Sequence, residues 1–246
     1  MKIQLDFVAV LAEWPLLLTG AGWTLRLTFA ATVVGLLLGI ACAWVRARGF
    51  GSGAGVGPGI GSVRGSDGSI APAWLKTVVG AYVELIRNTP FIVQLFFIFF
   101  GLPAAGIRLS AEWASFLAMA INLGAYAAEI IRAGIEATPK GQIEAAQSLA
   151  MSRAQTFFKV VLPPALKKVW PSLVSQIIIV MLGSSVCGQI STPELSSMAD
   201  LIHSRNFRAF EAFIVVGVMY LLLCIALRQL LNWIGSTFVF GRSAGS

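Results

Sequence analysis

Long charge-free runs constrain this chain more than any other feature. Residues 27–45 lie between Arg26 and Arg46, residues 88–107 between Arg87 and Arg108, and residues 169–193 between Lys168 and Glu194. Each approaches or exceeds the roughly 20 apolar residues that a helix needs to cross the hydrocarbon core. Two shorter runs, 113–128 and 212–227, become long enough if their flanking charges sit at the interface. None of the runs alternates, which selects helices over a barrel. An all-α membrane protein with five transmembrane helices is expected. Charged residues make up 12% of the chain, against about one quarter in a soluble domain, and the mean hydropathy is +0.81.

The first residues do not read as a signal peptide. Asp6 and Glu13 interrupt what would be its apolar core, and no clear small-residue cleavage site follows. Residues 7–18 are expected along the membrane surface. With the N-terminus outside and the C-terminus cytoplasmic, twelve Lys and Arg fall in cytoplasmic segments, among them Arg46, Lys76, Arg132, Lys140 and Arg228. Only Lys2, Arg108, Arg205 and Arg208 then lie outside, as the positive-inside rule requires. The net charge of +7 thus reads as a topology signal with attraction to anionic membrane lipid. Nucleic acid is not an expected partner, since no basic patch is interleaved with aromatics. One His and three scattered Cys leave no metal cluster or disulfide framework.

Between the spans, residues 49–69 hold nine glycines in 21 positions and read as a flexible cytoplasmic linker. Glu84, Arg87, Asn88 and Thr89 precede Pro90 and an apolar run. Proline moves Thr89 out of the helical region, so a break is expected there, with either a gating role or a plain interfacial helix end. Glu129 and Arg132 lie three apart, the spacing of a local ion pair. Asn122, Ser184, Ser185 and Gln189 are polar groups inside predicted spans. They either bond across helices or line a pathway for a zwitterionic solute. His203 falls in the external segment 194–210, where a lone solvated side chain is expected.

The longest polar stretch between spans, 129–171, is not loop-like. Thr138-Pro139 reads as a helix start, and good helix formers follow until Pro163-Pro164. A short amphipathic helix held between two spans reads as a docking element, and the small Ala145 and Ala146 would let a partner approach its backbone.

These residues resemble the permease subunits of bacterial ABC importers for polar amino acids. Such permeases carry a cytoplasmic loop of the form EAA-x3-G-x9-I-x-L-P. This chain has Glu144-Ala145-Ala146, then Ala150, then Val160-x-Leu162-Pro163, with the same spacing. Leu18-x-Gly20 with Thr24-Leu25 and Thr28, Arg87-Asn88-Thr89-Pro90 with Gln94-Leu95-Phe96-Phe97, and Ala125-Tyr126-x-Ala128-Glu129-x-x-Arg132 are similar to that group. So is Gly141-Gln142-x-Glu144. Ala150 stands where the family has glycine. If that position needs a left-handed backbone, alanine costs about 1 kcal/mol, so a right-handed or shifted turn is an alternative. Where many relatives carry a Lys-Asp-Thr/Ser-Ser run in the fourth span, this chain reads Leu182-Gly183-Ser184-Ser185.

The resemblance implies one transmembrane domain over residues 1–246, of type I importer permease architecture, in the bacterial inner membrane. Residues 49–69 would be an insertion and 139–163 the coupling loop, with Gln142, Glu144, Ala145, Ala146, Ala150, Leu162 and Pro163 facing the ATPase. Implied partners are ABC ATPase subunits, a second permease subunit (identical or homologous), an extracytoplasmic solute-binding protein and an amino-acid substrate. This chain would bind no cofactor, and ATP and Mg would sit on the partner ATPase. It has no Walker A motif, so the expectation is a transport subunit without its own ATPase or catalytic site. A secondary transporter driven by an ion gradient is the alternative. It usually needs carboxylates at mid-membrane, and Glu112, Glu129, Glu194 and Glu211 all sit at the edges of runs.

Overall fold

The computed structural model describes residues 5–46 and 71–239, so the glycine-rich 49–69 stretch lies outside the described residues. Among these, the elements are helical. They run α1 (Phe7–Leu11), α2 (Trp14–Arg46), α3 (Ala73–Arg87), α4 (Phe91–Phe96), α5 (Ala111–Glu136), α6 (Lys140–Ser148), α7 (Arg153–Gln155), α8 (Leu162–Gly183), α9 (Leu195–Asn206) and α10 (Ala209–Ile234). Four described segments are long and apolar enough to cross a membrane: Trp14–Arg46, Ala111–Glu136, Thr156–Ile190 and Ala209–Thr237.

Close approach of α2 and α5 organises the bundle. The buried stripe of α2 is made of small residues, including Gly20, Ala21, Thr24, Ala31, Gly35 and Gly39, at helical spacing. It meets Ala120, Leu123, Ala127 and Ala128 of α5. In lipid, where apolar burial gives little driving force between helices, such small surfaces allow backbone-to-backbone packing. Outward faces remain apolar, with Phe29, Leu37, Leu221, Leu222 and Ile225 exposed.

Several sequence expectations change. Residues 7–18 do not form one surface segment: α1 ends at Leu11 and α2 starts at Trp14. The first span thus extends well before residue 27, because Leu17, Gly20 and Thr24 gain burial, Gly20 directly against α9. The 88–107 run is not one uniform helix. It comprises α4, a π-turn (Phe97–Gly101) and a 3₁₀ turn (Leu102–Ala105). Its preceding helix α3 is bent from it by 113° at the Asn88–Pro90 break.

Pro163 and Pro164 do not stop the docking helix, which ends at Ser148. They lie in the first turn of α8 instead, directly after the π-helical turn Thr156–Val161. The docking helix itself begins at Lys140, and the Pro139 carbonyl accepts from Gln142 N at 3.1 Å. Finally, the segment 194–210 carries a packed helix, so His203 is not free in solvent. Leu195, Ala199 and Ile202 bury α9 against α2 and α10. His203 is half-buried on it, with its Nδ1 unpaired.

Candidate functional site

Where α4, α5 and α8 meet, a cavity of about 150 Å³ is lined by Phe91, Met119, Asn122, Ile179, Val180, Gly183 and Val186. Asn122 is the polar side chain of that lining. Its Nδ2 donates to Gln94 Oε1 at 3.0 Å. Gln94, 8% exposed, in turn donates to the carbonyls of Ile86 at 2.7 Å and Thr89 at 2.9 Å. Those carbonyls are orphaned by the break before Pro90, and a buried acceptor left unpaired is costly. The α3–α4 break and the cavity are thus joined by one amide chain.

Of the other intraspan candidates, Ser184 donates to Met181 O and Ser185 to Leu182 O, both at 2.7 Å. Their hydroxyls serve their own helix. Gln189 is exposed, and none of the three lines the cavity. Asn122 is the sequence candidate that does, while Gln94 was assigned no role. Its signal was a lone amide in the apolar run Phe91–Phe100.

A second constellation gathers where α2, α3 and α5 converge. Glu129 Oε2 lies 3.2 Å from Arg46 and 4.0 Å from Arg87, and Arg132 chelates the same carboxylate through Nε at 3.1 Å to both oxygens. Arg132 also pairs with Glu136. The Arg87 guanidinium lies 5.6 Å from the Tyr126 ring centroid, and Tyr126 donates to the Arg87 carbonyl at 3.4 Å. The pair expected from spacing alone is therefore part of a six-residue cluster fastening three helices. Arg46 gave no local signal, because its partner is 83 positions away. Glu84 does not join. It accepts from Asn88 Nδ2 at 3.1 Å, while Thr89 Oγ1 donates to Leu85 O at 2.8 Å.

Beyond Glu136, α6 presents Gln142, Glu144 and Ala145 outward. Ala146 is different: it is 3% exposed and faces the protein, so only one of the two alanines is open to a partner. Leu149, which sequence did not single out, is 76% exposed at the end of the helix. Ala150 has φ +53°. The turn is left-handed after all, neither right-handed nor shifted, because Leu149 N and Met151 N bond back to Ala145 O and Ala146 O in a helix-ending reversal. Leu162 is buried and Pro163 exposed at the start of α8.

Residues 58–238 match the model of the family described as the binding-protein-dependent transport system inner membrane component. The chain belongs to this family. It is 33% identical to the glutamine transport system permease protein GlnP of Escherichia coli (strain K12), over 94% of this chain and 96% of that protein. Identity is 40% with the probable glutamine ABC transporter permease protein GlnM of Bacillus subtilis (strain 168), over 65% of this chain and 73% of its relative. Its fold matches a chain from a crystal structure of an amino acid ABC transporter with histidines, with TM-score 0.76 and 33% identity, covering 98% and 99% of the two chains.

As an inner membrane component of a binding-protein-dependent system, the chain is a multi-pass permease with the all-helical type I importer fold. No His, Cys, Asp or Glu cluster among the described residues is arranged to hold a metal ion. The family match lends nothing to the gradient-driven alternative.

Proposed function

We propose that this chain is the transmembrane subunit of an ATP-driven amino-acid importer. It pairs with a second, identical or homologous permease subunit to form the pathway. An extracytoplasmic binding protein delivers the substrate, and separate ATPase subunits, which carry ATP and Mg, drive access from outside to inside. The N-terminus lies outside and the C-terminus in the cytoplasm. Residues 139–163 form the coupling loop. Gln142, Glu144, Ala145 and Leu149 touch the ATPase, while Ala146, Ala150, Leu162 and Pro163 shape the loop behind them. The Asn122 cavity belongs to the pathway, and the Glu129 cluster holds its inner end.

The observation that carries this reading is the outward face of α6, set between the spans α5 and α8 with an exposed Leu149. A rigid-body push on that face reaches two spans at once, the kind of bistable motion that links distant sites.

Co-purification of the tagged chain from its native membrane in mild detergent tests it, with Ala145→Trp alongside. An ATPase subunit bound to the native chain and lost from the variant is expected. Absence of any ATPase under conditions that keep other membrane complexes intact overturns the reading. Uptake that survives collapse of ion gradients by an ionophore, but not ATP depletion, is the matching transport result.

A further inference from the structure

Glu194 is 0% exposed, although its place in sequence is the edge of a charge-free run. A carboxylate buried among membrane helices is costly unless its oxygens are hydrogen-bonded. Four neutral donors reach it. Ser197 N lies 2.7 Å from Oε1, Ser196 N 2.9 Å from Oε2, Tyr220 OH 2.5 Å from Oε2 and Ser196 Oγ 2.6 Å from Oε1. Two of these form the N-cap of α9, and Tyr220 adds α10.

The remaining contact leads elsewhere. Ser196 Oγ also lies 2.9 Å from the carbonyl of Ser185, so its single proton is shared between Glu194 and that carbonyl. Ser185 belongs to the 3₁₀ segment Ser184–Ile190, whose Val186, with the preceding Gly183, walls the Asn122 cavity. The same carboxylate packs on this segment a second time. A Cβ at Gly188 would lie 2.7 Å from Glu194 Oε1, which is why glycine stands there.

We propose that Glu194 is a positioning residue of the transport pathway, acting through Ser196 to hold the Ser184–Ile190 segment and the cavity wall it carries. The inference rests on the cavity being part of the pathway, as proposed above. Cutting the Ser196 link frees the segment while leaving the two N–H groups and Tyr220 on the carboxylate.

The test uses the complete importer complex, reconstituted in vesicles with a panel of radiolabelled L-amino acids, and the best-transported one is then followed. Ser196→Ala and Ser196→Thr are compared in a Cys42→Ala, Cys224→Ala background. There the native Cys187, 0% exposed within the same segment, is the remaining thiol of this chain, followed on the band of this subunit. Ser196→Ala is expected to speed maleimide labelling of Cys187 and to raise KM for uptake about fivefold, the scale of one lost hydrogen bond. Its kcat should stay near native, and Ser196→Thr, which keeps the hydroxyl, should restore both readouts. Native uptake with Ser196→Ala matching it in KM and in Cys187 labelling overturns this inference alone. A native complex that transports no amino acid overturns the importer reading and this inference with it.

Discussion

Gly39 of α2 and Ala127 of α5 meet with no room for another carbon: a Cβ on Gly39 would stand 2.6 Å from the Ala127 Cβ. One turn earlier, a Cβ on Gly35 would lie 2.9 Å from the Leu123 Cβ. Spans α2 and α5 therefore approach as closely as their backbones permit, and α3, α8 and α9 pack against one or both of them.

Gly39→Leu should separate α2 from α5 and destabilise the detergent-solubilised protein by about 2 kcal/mol, as overpacking does. Gly22, on the same helix, has nothing within 4 Å of a built Cβ, so Gly22→Leu should leave stability unchanged. Thermal aggregation followed by size-exclusion chromatography reads both. Equal melting of the two variants would refute the account of the interface.

Ala145 and Ala146 are neighbours in sequence, but one faces out and the other is buried. Ala145→Trp should leave a folded protein that no longer couples ATP hydrolysis to uptake. Ala146→Trp should fail to fold, because the ring has no space. Glu144→Lys and Leu149→Asp should uncouple like Ala145→Trp. Comparing membrane abundance with uptake separates the two classes, and normal uptake in Glu144→Lys and Ala145→Trp would sink the coupling assignment.

Glu129 faces three arginines, with side-chain exposure of 22% for itself and for Arg46. Glu129→Gln leaves those guanidinium groups facing one another and should cost about 1–2 kcal/mol, between the values for exposed and buried pairs. Arg46→Met should cost less, since Arg132 still chelates the carboxylate. A double-mutant cycle on thermal stability gives the Arg46–Glu129 coupling. No measurable coupling would mean that the cluster is held by helix packing alone.

Gln94 satisfies the carbonyls at the α3–α4 break. Gln94→Leu keeps the volume and removes those bonds, at a cost of about 2 kcal/mol for the acceptors left unpaired. Asn122 loses its amide partner too, so uptake should fall along with stability. If Gln94→Leu melts like the native protein, water must be filling those acceptors instead.

The glycine-for-alanine question at position 150 has a direct test. With φ at +53°, Ala150→Val places a branched side chain in a left-handed turn and should cost more than the about 1 kcal/mol that alanine carries there. Ala150→Gly should fold and transport at least as well as the native chain. Stability measured in detergent for both variants decides it, and a harmless valine would show that the turn is not left-handed in the assembled complex.

From the residues alone it follows that this chain lives in a membrane, is helical, and carries the loop spacing found in importer permeases. Those properties are local: charge-free length, continuous apolarity and a motif with fixed spacing each reside in one stretch of chain. The break at Thr89-Pro90 was legible for the same reason, since proline acts on its immediate neighbours. The rest depended on how the helices pack. That packing buried Ala146 while exposing Ala145, brought Arg46 to Glu129 across 83 positions, and turned Ser184 and Ser185 back onto their own helix. It also placed Glu194, a residue at the edge of a run, in the interior. Which side of a helix meets a neighbour depends on crossings set by Gly35, Gly39 and their α5 partners, and side chains far apart in sequence become partners only once those backbones have closed together.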